Sequence, residues 1–224
     1  MQIMHLKTNH VTNPLGFWME HPIFSWVTES EVSKKQISAQ IRIATDEAMS
    51  DVVFDSGIGD WDSRAYKAAF TPAPRSRYYW QVTVTGDAGD SASAIAWFET
   101  GKQSEPWQAG WITPDGSPER HPLLRRSFET AQTVTRARIY ATGLGGYYLF
   151  LNGQRVGEEY LAPSCNAYDQ WIQVQTYDVT ALVRTGGNVI GAMLGNSWAK
   201  GRFGLSNSGN PLYAKDFSLS ASCT

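Results

Sequence analysis

The sequence predicts an all-β protein built as two antiparallel β-sandwich modules in series. Three observations predict it. Short runs of alternating apolar and polar residues recur roughly every ten residues between Gly, Pro, Asn or Asp, and no stretch sustains the 3.6-residue period of a helix. Nine Trp, ten Tyr and nine Phe make up 12% of the chain, and flat rings suit both sandwich cores and the apolar faces of sugars. At 224 residues the chain exceeds an ordinary domain of about 100–150 residues, so two modules are expected.

The elements follow in chain order. Pro22-Ile23-Phe24-Ser25-Trp26 reads as an opening strand, Gln36 to Thr45 alternates over its whole length, and Val52 to Ser56 ends at Gly57. Tyr78 to Thr85 alternates before the turn Gly86-Asp87-Ala88-Gly89, and Ala94 to Thr100 closes the module. The opening Pro-x-Phe-Ser-Trp and the strand Tyr-x-Trp-x-Val resemble a fibronectin type III or immunoglobulin-like module, a fold with many unrelated roles. The polar, glycine- and proline-bearing stretch Gly101 to Pro106 is the expected connector, placing the modules at residues 1–103 and 104–224.

In the second module Leu123 to Glu129 and Val134 to Ala141 read as strands, the latter with Arg136 and Arg138 on one face and Ala137, Ile139 and Ala141 on the other. Gly143-Leu144-Gly145-Gly146 punctuates the chain. Tyr147 to Leu151 then runs into Asn152-Gly153, whose residue types tolerate the two positive φ angles of a type I′ hairpin turn, and Gln154 to Gly157 returns. Trp171 to Tyr177 alternates into Asp178, a candidate cap for the turn that follows; Gly186-Gly187-Asn188 turns the chain into the apolar strand Val189 to Leu194. Phe217 to Ala221 opens another strand just before the last residue, an expectation of a sandwich without its closing strands.

From Trp107 onward the order of these elements resembles the N-terminal jelly-roll domain of bacterial α-L-rhamnosidases, glycoside hydrolase family 78. The resemblance rests on Pro122-Leu123-Leu124-Arg125-Arg126-Ser127-Phe128, Ala137-Arg138-Ile139-Tyr140, Leu149-Phe150-Leu151-Asn152-Gly153 with Arg155-Val156-Gly157, and Leu161-Ala162-Pro163. It continues through Gln175-Thr176-Tyr177-Asp178-Val179-Thr180, Gly187-Asn188-Val189-Ile190-Gly191 and Leu194-Gly195-Asn196 with Trp198. The sequence departs from that pattern at Ser164-Cys165-Asn166, where the family carries Gly-Trp-Thr, and at Ser197-Trp198-Ala199, where it often carries Gly-Trp-Tyr. The resemblance implies a galactose-binding-like jelly roll that precedes an (α/α)6 catalytic barrel absent from these residues. The expected role is therefore a non-catalytic N-terminal fragment with structural and substrate-positioning duties; the alternative is an autonomous carbohydrate-binding module.

The chemistry-bearing residues agree with that expectation. An inverting glycosidase needs a carboxylic acid and a carboxylate about 6.5–9.5 Å apart. Glu158-Glu159 reads as solvated surface, Asp87 and Asp90 as turn residues and Asp178 as a cap, so no catalytic residue is assigned. His5, His10, His21 and His121 lack metalloenzyme spacing, and Cys165 and Cys223 are too few for a disulfide framework. Sugar recognition asks for an aromatic face beside amide or carboxylate groups; Tyr168, Asp169, Trp171, Asn196 and Trp198 supply both on two loops, unless the tryptophans pack in the core. No cofactor is expected beyond a calcium ion, for which Asp169 and Asn152 are the candidate ligands, although Asn152 serves the hairpin turn first. Rhamnose-containing glycans and a catalytic domain of the same enzyme are the expected partners. A net charge of -2 with scattered Lys and Arg argues against nucleic acid, no apolar run approaches the ~20 residues of a membrane helix, and the first residues lack a secretory pattern, so a cytoplasmic location is expected.

Overall fold

In a computed structural model, residues 1–115, 121–201, 213–214, 216 and 218–224 are described. The chain divides into two compact units, Met1–Pro106 and Trp107–Thr224. Both are built almost wholly of strands.

Unit 1 contains β1 (Gln2–Thr8), β2 (Leu15–Phe17), β3 (Ile23–Glu29), β4 (Gln36–Ala44), β5 (Val52–Asp55), β6 (Tyr66–Lys67), β7 (Arg77–Gly86) and β8 (Ser91–Thr100). One sheet has the order β1-β3-β6 and the other β2-β8-β7-β4-β5. Alternation along β7 sends Tyr78, Trp80, Val82 and Val84 into the space between the sheets, where Phe24 of β3 stacks on Trp80 at 4.4 Å between centroids. The strand read as the opening one is β3; β1 and β2 precede it. Their signal is weak in sequence because a bulge between Met4 and Lys7, with His5 at φ 53°, breaks the alternation of β1, and β2 is only three residues long.

Unit 2 contains β9 (Leu123–Thr130), β10 (Arg138–Leu144), β11 (Gly146–Leu151), β12 (Gln154–Val156), β13 (Gln175–Asp178), β14 (Gly186–Gly195), the one-turn helix α1 (Ser197–Lys200) and β15 (Ser218–Cys223). Its sheets run β12-β11-β14-β9 and β13-β10-β15. Ile139, Ala141, Leu149, Leu151, Val179 and Leu194 form the heart of the core between them. The β11–β12 hairpin turns at Asn152 and Gly153, both at positive φ as that turn type requires.

Four expectations are corrected here. The strand read from Val134 begins at Arg138, which is 4% exposed and ion-pairs with Asp178, its cross-strand partner on β13, at 2.8 Å. Asp178 also caps the next turn through Thr180, whose backbone N–H donates to it at 3.0 Å. Residues 171–174 lie outside the ladder, so β13 is shorter than its alternation implies. Gly186-Gly187-Asn188 is the beginning of β14 rather than a turn, and the glycine run at 143–146 is divided between the end of β10 and the start of β11 with Gly145 as pivot at φ 119°. The last strand is described only from Ser218; Phe217, with which the expected strand began, lies outside the described residues.

Candidate functional site

The site is best assembled from the ends of β11 and β14. These strands pair with Gly146 opposite Gly195 and Tyr148 opposite Met193, so Tyr148 and Met193 share one face of the sheet. Two glycines facing each other leave that end of the ladder bare, and the neighbouring loops close over it. The backbone N–H of Tyr147 donates to the carbonyl of Ala162 at 3.0 Å, which draws the 161–163 loop against β11, and Leu161 adopts φ 59° there. On the other side the chain leaves β14 through Asn196 into α1, with Ser197 at φ 42°. A side chain at position 146 would meet the Ser197 Cβ at 2.9 Å, so only glycine admits this approach.

The result is a cavity of about 330 Å³ lined by Tyr148, Leu161, Met193, Asn196, Ser197 and His121, among others. Tyr148, Leu161 and Met193 make its apolar walls. Its polar groups include the exposed Asn196 amide, the His121 imidazole and the Ser197 hydroxyl, whose Oγ is buried without a hydrogen-bond partner among the described residues. Tyr148 is held from behind: the Arg155 guanidinium carbon lies 4.6 Å from its ring centroid and 4.5 Å from that of Tyr160, and the two tyrosines meet edge to face. No carboxylate is found among the described residues lining the cavity.

Of the five residues that the sequence nominated for sugar contact, Asn196 lines this cavity; Tyr168, Asp169, Trp171 and Trp198 do not. Tyr168 is half-buried, its ring 5.3 Å from that of Tyr213 and its hydroxyl donating to the Ser164 carbonyl at 2.9 Å; desolvation pushes its pKa up. Asp169 is exposed and accepts from the Gln170 amide at 3.2 Å. Trp171 and Trp198 are 56% and 40% exposed, which overturns their alternative assignment to the core. Sequence reasoning missed Tyr148, Leu161, Met193, Ser197 and His121. The available signal was the hairpin itself: once Asn152-Gly153 sets the register of β11, Tyr148 falls on the face opposite the core residue Leu149.

The candidate calcium ligands are placed differently from one another. Asn152 is consumed by the turn: its Oδ1 accepts from Val189 N–H at 2.9 Å, and its Nδ2 donates to Leu182 O and Asn188 Oδ1, each at 2.8 Å. Among the described residues no group of three or more His, Cys, Asp or Glu could hold a metal ion. Asn152 and Asp169 thus do not by themselves make the six to eight oxygen ligands that calcium takes.

Comparison with known proteins bears on both units. Residues 132–223 match the family model of the α-L-rhamnosidase N-terminal domain, and residues 3–104 match that of the Rha78A-like N-terminal immunoglobulin domain. The two units thus match the N-terminal domains described for α-L-rhamnosidases. An α-L-rhamnosidase of Formosa agariphila is 30% identical over 218 residues, covering 86% of this chain and 23% of its own length. The structure of an α-L-rhamnosidase from Dictyoglumus thermophilum superposes with a TM-score of 0.83 at 29% identity, covering 100% of this chain and 27% of that one. The crystal structure of an Aspergillus terreus α-L-rhamnosidase gives a TM-score of 0.87 at 26% identity, over 99% of this chain and 27% of its own. The chain therefore spans about a quarter of the length of the family members it matches.

Proposed function

We propose that this chain is the non-catalytic N-terminal portion of an α-L-rhamnosidase, and that unit 2 positions substrate by weak binding of L-rhamnose. The observation that carries the reading is the mixed lining of the 330 Å³ cavity at the β11–β14 end. A 6-deoxy sugar presents a methyl group and one C–H face, which suit Tyr148, Leu161 and Met193, and hydroxyls that suit the Asn196 amide and the unpartnered Ser197 Oγ. In the intact family member the partners are a catalytic domain and rhamnose-containing glycans.

A monosaccharide offers few atoms to hold, so the expected dissociation constant is about 1 mM, near -4 kcal/mol. Titration of L-rhamnose into the isotopically labelled chain, with and without calcium, is the test. Shifts are expected at Tyr148, Met193, Asn196 and Ser197. Their absence at tens of millimolar sugar in both conditions would leave a purely structural role, and shifts confined to Tyr168, Asp169 and Trp171 would move the site to the neighbouring loop.

A further inference from the structure

The cavity at the β11–β14 end continues past the residues that line it. Tyr148 forms one of its walls, and beside that wall the ring of Tyr160 stands 73% exposed. Tyr160 does not line the cavity, but Leu161, the next residue in the chain, does. The two tyrosine rings meet edge to face with centroids 6.3 Å apart. A ligand held against Tyr148 therefore has the Tyr160 ring within reach of whatever is attached to it.

An exposed tyrosine is ordinarily free to turn, and this one is held from two directions. Val156 of β12 pairs with the core residue Leu149, so its neighbour Arg155 points to the opposite face of the sheet, where Tyr148 stands. The Arg155 guanidinium carbon lies 4.5 Å from the Tyr160 ring centroid and 4.6 Å from that of Tyr148. The same guanidinium donates to the carbonyl of Glu159, which fixes the backbone that carries Tyr160. Its Nε is buried without a hydrogen-bond partner among the described residues, as befits a cation closed in by rings. Holding a solvent-facing ring in place adds nothing to a core on the other face of the sheet. It does remove in advance the freedom that a ligand would otherwise have to freeze.

The surroundings of Tyr160 select the kind of ligand. Its chain neighbours Glu158 and Glu159 are exposed, so the ring is a single apolar face beside polar groups. A protein partner needs a far wider surface, whereas a pyranose needs one ring against its C–H face and polar groups near its hydroxyls. We propose that Tyr160 is a second subsite, which stacks on the sugar residue that bears the rhamnosyl group, so that this end of unit 2 recognises a rhamnosyl disaccharide in preference to rhamnose. The proposal rests on the reading of the cavity as a rhamnose site. The rhamnosyl ring occupies the cavity against Tyr148, Leu161 and Met193, and the next ring lies on Tyr160.

The test titrates three ligands into the full 224-residue chain by NMR: L-rhamnose, methyl α-L-rhamnoside and a neutral α-L-rhamnosyl-D-glucose disaccharide. The disaccharide is expected to bind about tenfold more tightly than the methyl glycoside and to shift Tyr160 as well as Tyr148. Tyr160→Ala should erase that gain and leave L-rhamnose affinity unchanged, with the rest of the spectrum in place because the ring is exposed. Tyr160→Phe keeps the ring and should keep the gain. Rhamnose binding at Tyr148 with no gain for the disaccharide, or a gain that survives Tyr160→Ala, would overturn the second subsite and leave the rhamnose site standing. Shifts from none of the three ligands would overturn both. A gain seen with an aryl α-L-rhamnoside and not with the disaccharide would overturn the assignment of the subsite to a sugar.

Discussion

Asn152 is the residue on which most of unit 2 turns. Its φ of 52° selects Asn or Gly for the hairpin, and its side-chain amide ties that hairpin to Leu182, Asn188 and Val189. Gly would keep the backbone and lose the amide; Ala would lose both. Asn152→Ala is therefore expected to cost about 2–3 kcal/mol in urea unfolding, since it strands the partners of three hydrogen bonds and strains the backbone. Asp90 does similar work in unit 1. The hydroxyls of Ser30 and Ser33 donate to it, the former at 2.6 Å, and the terminal ammonium of Met1 lies 3.5 Å away. The Ser30 and Ser33 bonds, followed by that ammonium, hold its carboxyl below the ordinary 3.8. A depressed folded-state pKa means that its contribution to stability is fully present above pH 3.8 and disappears as pH falls through the folded value. Thermal melts should thus separate the wild type from Asp90→Asn well above pH 3.8 and bring the two together as pH falls below it.

Strands are tied to the site by where they end. β11 and β14 are in register over six residue pairs, and at the last of these two glycines face each other. That is what lets the Asn196–Lys200 turn lie against β11. Gly146→Ala places a methyl group 2.9 Å from the Ser197 Cβ and forces the turn outward. Its overpacking should cost about 1–3 kcal/mol. It should also weaken L-rhamnose binding at least severalfold, read from the same sugar titration, whereas Gly153→Ala at the far end of β11 should lower stability and leave sugar affinity intact.

At the scale of the whole molecule the chain is two all-β units that span about a quarter of their relatives. Hydrolysis of a glycoside needs an acid and a base held across a pocket that shifts one pKa upward. Among the described residues, the side chains lining the β11–β14 cavity include the Asn196 amide, the Ser197 hydroxyl and the His121 imidazole. Purified chain is expected to release no aryl leaving group from an aryl α-L-rhamnoside above the buffer background. Turnover that survives repurification and vanishes on substitution of Glu158 or Asp169 would contradict the assignment. In a longer family member, mutation of Asn196 or Gly146 should raise KM more than it lowers kcat, because positioning acts on binding and not on the bond being broken.

Period-two patterning, aromatic content and turn residues were enough to read an all-β fold and nearly every long strand, because alternation and Asn-Gly chemistry are local properties. The same local rules placed Asp178 at its cap. They failed where a bulge interrupts alternation, in β1, and where glycines extend a strand, in β14. The cavity at the β11–β14 end was legible only in Asn196. Its other walls come from β11, β14, the 161–163 loop and His121, residues far apart in the chain whose meeting depends on cross-strand register. Burial is equally non-local: alternation puts Arg138 on the face away from Ile139 but leaves open that it is buried against Asp178, and it leaves open whether Trp171 and Trp198 face solvent or the core until the loops that carry them are seen to be exposed. The alternation of side chains is written in each segment, but which face becomes the inside is decided by the sheet that comes to lie against it.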